Sequence, residues 1–337
     1  MKLNALAAVI AALAIAGPLT ACTSSPGSGS ATDQTTAAAG TTTGATSVTN
    51  CGAEVTFDEA PQRVTLLKPA SVPSLAELEL LDKVTAKAGR YPAEYYDSAT
   101  NAALDQIPSI TDKLDAGGHL QISKEEVVAT SPDLVTGFTD TVNRETMAGT
   151  AGIKMIENPA LCGALKGEAT WEDVFNDVRL FGAIFDKADK AEEVIGELKD
   201  RIAALEKDAA DAQPTTVTVL YPTVGDGVTY AYGTGSGSHP VVKSAGLDNV
   251  YGDQKDRVFE VTAEDLVAKN PDVILSLYSE GEAGPVVDTI KKMTDMDRVT
   301  AVRHDAILPL LLNFVEPPTP LAVDGLEKLD QFLKEHR

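Results

Sequence analysis

The feature that most constrains the fold is a stretch of thirteen residues that occurs twice, far apart in the chain. SKEEVVATSPDLV runs from Ser123 to Val135, and the near copy TAEDLVAKNPDVI runs from Thr262 to Ile274. Each copy begins with a hydroxyl residue that can cap a helix, has an acid three residues later, and ends with a Pro-Asp turn and an apolar run. The two copies therefore predict the same helix–turn–strand unit in two separate halves of the chain.

Strand and helix signals alternate around both copies. RVTLL (63–67) precedes the first copy, and VTVLY (217–221) precedes the second. Alternation of this kind is typical of parallel sheets with helices on their faces. We therefore expect an α/β fold with two Rossmann-like lobes on mainly parallel sheets, over residues 51–169 and 189–337.

The chain between the two lobes has the pattern of a helix. Thr170 and Asp173 form an N-cap pair. The apolar residues that recur there at helical spacing are Trp171, Val174, Phe175, Val178 and Phe181. No glycine-rich linker interrupts this pattern, so we expect a single long α-helix over 170–188 to join the lobes. A surface helix of one larger domain is the alternative.

The first fifty residues have the composition of an export signal and a tether. Lys2 is followed by an apolar run, 5–16, that is too short for a comfortable membrane span. The run leads to LTAC, which ends at Cys22 and resembles the lipobox of bacterial lipoproteins. We expect a lipoprotein signal peptide over 1–21 and a lipid anchor on Cys22; an ordinary signal peptide that happens to precede a cysteine is the alternative. Residues 22–50 predict a disordered tether, because they hold almost no apolar side chain beyond alanine.

Two cysteines remain after Cys22, namely Cys51 and Cys162. An exported protein occupies an oxidising compartment, in which disulfides persist. Cys51 opens the first lobe and Cys162 lies near its end, so a bridge would tie the start of that lobe to its finish. The alternative is a pair of unbonded, buried thiols.

Charge and motifs exclude several classes of function. The net charge of −22 does not suit a nucleic-acid binder, which needs a basic face. GTGSGS (233–238) fits neither a nucleophile elbow nor a P-loop nor a dinucleotide fingerprint. The four histidines, His119, His239, His304 and His336, have no paired spacing for a metal ion. We therefore expect no enzymatic activity, no cofactor and no metal ion bound directly by the protein.

The lipobox, the polar tether, the two lobes and the helix between them resemble one family. It is the family of substrate-binding lipoproteins of ABC importers for ferric siderophores, haem and cobalamin. The phrases that carry the resemblance are CGAEVTFDEAPQRVTLL, SKEEVVATSPDLV, TWEDVFNDVRLFGAIFD, AEDLVAKNPDVIL and EPPTPLAVDGLEKL. The resemblance implies a periplasmic-binding-protein fold, lipid-anchored as a monomer on the extracytoplasmic face of the cell membrane. It also implies an iron chelate, a ferric siderophore, as the ligand carried to an ABC permease dimer with its ATPase.

Two other functions fit the same scaffold. A haem- or cobalamin-binding receptor of the same family is one, and His119 or His239 with one tyrosine could supply the axial ligands of a haem. A non-transport adhesin or signalling lipoprotein is the alternative from another class.

The resemblance also assigns a role to the repeated stretch. In this family one glutamate on each lobe docks into an arginine pocket on a permease subunit. The matching positions are Glu125 and Glu264, each seven residues before its Pro-Asp turn. The alternative is that both are ordinary first-turn acids, which the helix dipole favours.

The expected ligand site lies beyond the carboxyl ends of the strands, where open α/β sheets bind their ligands. Aromatic rings and cationic groups placed there suit a large, oxygen-rich, often anionic chelate. The candidates that follow predicted strands are Lys68, Arg90, Tyr91, Phe138 and Thr139 in the first lobe, and Tyr221, Tyr230, Tyr232, Tyr278, Asn313, Phe314 and Glu316 in the second. We rank Arg90, Tyr91, Tyr232 and Tyr278 first; each candidate has packing or a surface position as its alternative role.

Overall fold

The structure is a computed structural model that describes residues 44–115, 119–210, 213, 215–225 and 227–336. The predicted signal peptide, Cys22 and most of the predicted tether lie outside the described residues. Within the described ranges, no helix is both long and apolar enough to cross a membrane.

The described residues form strands and α-helices in alternation. The strands are β1 (Thr46–Asn50), β2 (Ala53–Phe57), β3 (Val64–Leu66), β4 (Val84–Lys87), β5 (Leu134–Thr136), β6 (Lys154–Ile156), β7 (Thr215–Pro222), β8 (Thr229–Tyr232), β9 (Leu247–Asn249), β10 (Val258–Val261), β11 (Val273–Tyr278) and β12 (Ile307–Leu311). The α-helices are α1 (Val72–Glu77), α2 (Ser98–Gln106), α3 (Lys124–Ala129), α4 (Trp171–Ile184), α5 (Ala188–Ala209), α6 (Ser238–Ser244), α7 (Ala263–Lys269), α8 (Ala283–Lys292), α9 (Thr300–Arg303) and α10 (Leu321–His336).

Each lobe is built on its own sheet. The first sheet has the order β4-β3-β5-β6, and all its neighbours are parallel. In the second sheet, of order β10-β8-β7-β11-β12, β11 is parallel to both its neighbours, β9 runs parallel beside β7, and β8 is antiparallel to β7 and β10. The predicted α/β fold with two lobes and mainly parallel sheets is confirmed.

The repeated stretch forms the same unit in both lobes. Ser123 caps α3 with a complete capping box, and the Thr262 side chain accepts a hydrogen bond at the start of α7. The aspartate of each Pro-Asp turn then bonds to the chain at the neighbouring strand. Asp133 accepts the backbone N–H groups of residues 62 and 63 before β3, and Asp272 accepts that of Thr216 in β7. The turn therefore sets the register between each repeated strand and the first strand of its lobe.

The helix between the lobes is shorter than predicted, and a second helix follows it. Helix α4 ends at Ile184, and α5 begins at Ala188, so the predicted helix over 170–188 extends too far. The chain breaks at Asp186, whose φ of 54° is left-handed and cannot continue an α-helix. The predicted N-cap at Thr170 is present, with its capping box to Asp173.

Helix α4 is bonded to both lobes. The buried carboxylate of Asp177 accepts hydrogen bonds from Ser74 Oγ (2.5 Å) and Asn158 Nδ2 (3.2 Å), which both belong to the first lobe. The indole of Trp171 donates to Ser244 Oγ in α6 of the second lobe (2.9 Å). The helix is therefore a shared support and not a peripheral element of one larger domain.

A hairpin closes the start of the first lobe. Strands β1 and β2 pair antiparallel around a turn at Cys51 and Gly52, both with positive φ. Residues 46–50 thus lie in a strand, where the sequence predicted the end of the tether, because their alternating side chains pair with β2. The predicted disulfide between Cys51 and Cys162 is confirmed, with 6.1 Å between the Cα atoms. A bridge across 111 residues contributes about 4 to 5 kcal/mol in the chain-entropy model.

Asp177 gives the fold a specific pH dependence. Burial raises the pKa of Asp177 from 3.8 to about 7. The folded state therefore binds the proton more tightly than the unfolded state, and stability falls as the pH rises from about 4 through 7. We expect Asp177→Asn to remove this loss, so that the variant gains on the wild type by at most about 4 kcal/mol between pH 4 and pH 8.

Urea unfolding at several pH values measures this difference. Asp200→Asn is the matched control, because Asp200 is an exposed acid on α5. Parallel pH profiles of wild type and Asp177→Asn would contradict the assignment.

Candidate functional site

The two lobes meet where the carboxyl ends of their parallel strands face each other. Tyr95, in the loop after β4, accepts a hydrogen bond at its hydroxyl from the backbone N–H of Asn313, which follows β12 (3.0 Å). The Tyr95 ring also lies 5.1 Å from the ring of Phe314. This contact places the strand-end loops of both lobes around one cleft.

An ion pair crosses the mouth of the cleft. Arg90, just after β4, contacts Glu280, just after β11, through Nη1 and Oε2. The two residues border a cavity of about 290 Å³, together with Tyr91 and Glu94 from the first lobe and Leu311 from the second. Arg90 and Tyr91, both predicted ligand residues, therefore line the same cavity.

Lys68 follows β3 and is a partly buried cation. Its Nζ lies 4.7 Å from the centroid of the Phe138 ring and forms no hydrogen bond or ion pair with a described residue. Burial lowers the pKa of Lys68, and the positive charge of Arg257 lowers it further, whereas Asp140 and Glu157 act in the opposite direction. Lys68 and Arg257 come from opposite lobes, so each lobe brings one cation to the same region of the cleft.

Arg257 is held in place by a buried carboxylate. Glu316, only 1% exposed, accepts from Arg257 Nη1 at 2.7 Å through one oxygen. Its other oxygen accepts from Ser236 Oγ (2.8 Å) and from the backbone N–H of Gly237 (2.6 Å). Glu316, predicted as a cleft residue, is thus placed behind the arginine, and the remaining Arg257 donors form no hydrogen bond with a described residue.

The sequence did not reveal Arg257 because it precedes a strand instead of following one. Strand β10 runs antiparallel to β8, and Val258 lies opposite Tyr232. The start of β10 therefore reaches the same edge of the sheet as the end of β8. Glu280 and Tyr95 were also not selected from the sequence. Both lie in loops that follow strands, so the rule that selected Arg90 and Tyr91 could have identified them.

The glycines of GTGSGS allow close approach of the chain that carries these groups. A Cβ on Gly233 would lie 2.5 Å from the backbone oxygens of residues 254 and 256. A Cβ on Gly237 would lie 2.8 Å from the Val315 oxygen. The loop thus packs against the segments that hold Arg257 and Glu316, which accords with a structural use of these glycines.

Three of the predicted tyrosines lie at neighbouring positions in the second sheet. Tyr221 and Tyr230 are directly opposite across β7 and β8, and Tyr232 is two residues further on. Burial, followed by the negative charge of Glu316, raises the pKa of Tyr232, which is packed in the core. Tyr278 ends β11, and its pKa is raised by burial and then by Glu94 of the other lobe.

Several predicted ligand residues already use their polar atoms elsewhere. The Tyr91 hydroxyl donates to the Ala88 oxygen (3.1 Å), and Thr139 Oγ1 accepts from the Val142 N–H (2.9 Å). Asn313 is buried, and its N–H bonds to Tyr95. These hydrogen bonds hold the loops that border the cleft.

Neither histidine proposed for haem borders the cavity at Arg90. His119 is exposed beside Asp115, and His239 lies 3.9 Å from Glu168, near the start of α4. Burial lowers the pKa of His239.

Glu125 and Glu264 occupy equivalent positions in the two lobes. Each is exposed in the first turn of its helix, α3 or α7. Neither carboxylate forms a hydrogen bond or ion pair with another described residue. The neighbouring residues cap these helices instead. Glu126 completes the capping box of α3, and the Asp265 N–H donates to the Thr262 hydroxyl at the start of α7.

Comparison with known proteins gives consistent matches over most of the chain. Residues 64–310 match the family model of the periplasmic binding protein. The chain is 46% identical to the crystal structure of an ABC-type Fe3+-hydroxamate transport system from Saccharomonospora viridis DSM 43017, with a TM-score of 0.80 over 85% of this chain and 98% of that chain.

More distant proteins share the fold. The uncharacterized ABC transporter substrate-binding lipoprotein YvrC of Bacillus subtilis (strain 168) is 22% identical over 278 residues, which cover 82% of this chain and 81% of YvrC. The periplasmic heme-binding protein RhuT from Roseiflexus sp. RS-1 is 18% identical, with a TM-score of 0.64 over 82% of this chain and 98% of that chain. At this identity, the likeness to RhuT supports the fold alone.

The unpaired state of Lys68 gives a stability prediction. A buried ammonium without an acceptor costs stability, so we expect Lys68→Met to raise the free energy of unfolding at pH 7 by about 1 kcal/mol or more. Because the folded-state pKa of Lys68 is lowered, the native lysine regains stability as the pH rises through that pKa, and the advantage of the variant shrinks. Urea unfolding at pH 7 and pH 10 measures this, with the exposed Lys166→Met as control. A variant less stable than wild type at pH 7 would refute it.

Proposed function

The chain belongs to the periplasmic binding protein family of ABC-transporter substrate-binding proteins, and from this premise we propose that it captures an iron chelate between its lobes. It then delivers the chelate to an ABC permease dimer driven by its ATPase. The protein acts as a binding component of this transporter and not as an enzyme. A signal peptide over 1–21 directs its export, and a lipid anchor on Cys22 then holds it on the extracytoplasmic face of the cell membrane.

The observation that carries this ligand class is the pair of cations, Lys68 and Arg257, that the two lobes bring together. Among the described residues the Lys68 ammonium has no acceptor, and Arg257 keeps donors unused after its bond to Glu316. A ligand rich in oxygen atoms satisfies these donors from both sides at once, with charge-assisted hydrogen bonds. Tyrosine rings at the same strand ends supply apolar contact for the body of the ligand.

Among iron chelates, a ferric hydroxamate siderophore is the first candidate. The support is the 46% identity to the structure of an Fe3+-hydroxamate transport system, over nearly the whole of that chain. A haem ligand has weaker support, because neither His119 nor His239 lies at the cavity beside Arg90.

Titration of the full chain with a panel of ligands tests the proposal. The panel contains ferrichrome, a ferric tris-catecholate, ferric citrate, haemin and cyanocobalamin. Absorbance and tyrosine emission are followed. The single tryptophan, Trp171, begins α4 and is hydrogen-bonded to Ser244, and it does not line the cavity beside Arg90. Submicromolar binding of ferrichrome that weakens at least tenfold in Lys68→Met is the expected result. A Soret shift with haemin and no binding of the other ligands would identify haem as the ligand instead of an iron siderophore. No binding of any ligand in the panel would favour a non-transport lipoprotein.

Glu125 and Glu264 are proposed as the docking residues for the two permease subunits. We expect Glu125→Ala with Glu264→Ala to abolish uptake of the iron-55 chelate by cells, and to leave the Kd for the chelate unchanged. The matched control is Glu145→Ala with Asp253→Ala, which removes the same charge from exposed positions on the two lobes. Uptake by the docking variant equal to that of the control would overturn the assignment.

A further inference from the structure

The ion pair between Arg90 and Glu280 joins the strand-end loops of the two lobes directly. The two residues are 190 positions apart in the chain, and their charged atoms are in contact. Within the described ranges, the other ion pairs formed by Lys or Arg lie inside one lobe or involve α4 or α5, and the His239–Glu168 contact lies away from the cavity. Arg90–Glu280 is therefore the ion pair that joins the lobes at the mouth of the cleft.

The space behind the pair is small for the proposed ligand. The cavity measures about 290 Å³, whereas pockets for drug-sized ligands typically start at about 300 Å³ and extend to about 1,000 Å³. A ferric chelate is at least drug-sized, so its entry requires the mouth to widen. Widening separates Arg90 from Glu280.

The pair is also easily opened. The Arg90 and Glu280 side chains are 52% and 38% exposed, and ion pairs at such positions contribute little because water and salt screen them. Glu280 is followed by Gly281, which has a φ of 81° and no atom within 4 Å of a Cβ position. The short loop between β11 and α8 can therefore move its carboxylate away without steric hindrance.

We propose that Glu280 is a specificity-determining residue that competes with the ligand for Arg90. In the ligand-free protein the Glu280 carboxylate is paired with the Arg90 guanidinium. When the chelate binds, one of its oxygen atoms replaces that carboxylate. The inference rests on the proposed function, in which Arg90 contacts the ligand.

This exchange selects ligands by the charge on their oxygen atoms. A neutral carbonyl forms a weaker hydrogen bond to a guanidinium than the carboxylate it displaces, so the exchange is unfavourable. A hydroxamate, catecholate or carboxylate oxygen that carries negative charge compensates for the lost carboxylate. A ligand oxygen can therefore replace Glu280 only if its hydrogen bond to Arg90 is about as strong as that of the carboxylate, and Glu280 in this way disfavours ligands with neutral oxygens.

The test compares Glu280→Gln with Glu282→Gln. Glu282 lies on the same loop and its side chain caps no helix, so its substitution removes the same charge without removing the ion pair. We expect Glu280→Gln to tighten the Kd for ferrichrome and for a ferric tris-catecholate by about two- to fivefold, the effect of losing an exposed ion-pair competitor. Glu282→Gln should change neither Kd. In an Arg90→Gln background, Glu280→Gln should have no effect, because the contested group is gone.

Hydrogen exchange without ligand tests separately whether the Arg90–Glu280 pair holds the mouth of the cleft closed. Hydrogen exchange at residues 88–96 and 278–283 should be faster in Glu280→Gln than in Glu282→Gln. Equal behaviour of these two variants in affinity and exchange, or a gain that persists with Arg90→Gln, overturns the inference. If the wild type binds neither chelate, the proposed function fails, while the exchange rates still decide whether the pair closes the mouth.

Discussion

The arrangement of the two lobes depends on helix α4, which is hydrogen-bonded to both. Asp177 holds the first lobe through Ser74 and Asn158, and Trp171 holds the second through Ser244. A carboxylate buried without a cationic partner is costly, and its raised pKa is the measure of that cost. The cost is compatible with a fold in which α4 also buries Val174, Phe175, Val178 and Phe181 in a core shared by both lobes.

With the lobes supported in this way, the cleft can hold charges that do not stabilise the fold. Arg257 is positioned by Glu316, whose two oxygens are occupied by three donors. The Lys68 ammonium lies over the Phe138 ring and forms no hydrogen bond or ion pair with a described residue. Groups left without partners in a folded protein are frequently binding groups, because the ligand supplies the missing acceptor. The stability lost at Lys68 is the reason to connect it with function.

Charge is distributed differently on the outside of the molecule. Glu125 and Glu264 project from equivalent helix starts, while the adjacent acids bond to the capping residues. In the first lobe the carboxylate of Glu126 is used at the helix end, whereas in the second lobe Asp265 contributes only its backbone N–H. The carboxylates of Glu125 and Glu264 are exposed and take no part in capping. At the mouth of the cleft, Glu94 and Glu280 both line the cavity beside Arg90, and Glu280 is in contact with it.

Local chemistry made much of the fold predictable from the sequence alone. Capping residues, Pro-Asp turns and alternating strands and helices act over a few residues, and they defined two α/β lobes, the start of α4 and the class of the family. The bridge between Cys51 and Cys162 could be predicted from the oxidising compartment of an exported protein and from the positions of the two cysteines at the start and near the end of the first lobe. The exact end of α4 and strand β1 were missed, since a left-handed residue and a short edge strand leave weak local signals.

The tertiary structure alone decided which side chains meet. Arg257 reaches the cleft because β10 is antiparallel to β8, and strand direction is set by pairing, not by the residues of β10 themselves. Arg90 becomes a partner of Glu280, 190 residues away in the chain, and Lys68 comes within the field of Arg257 only when the two lobes are brought face to face. The sequence by itself determined the lobes and the chemistry at their strand ends; the contacts across the cleft were decided by packing, because electrostatic and hydrogen-bond energies depend on distances that no local pattern encodes.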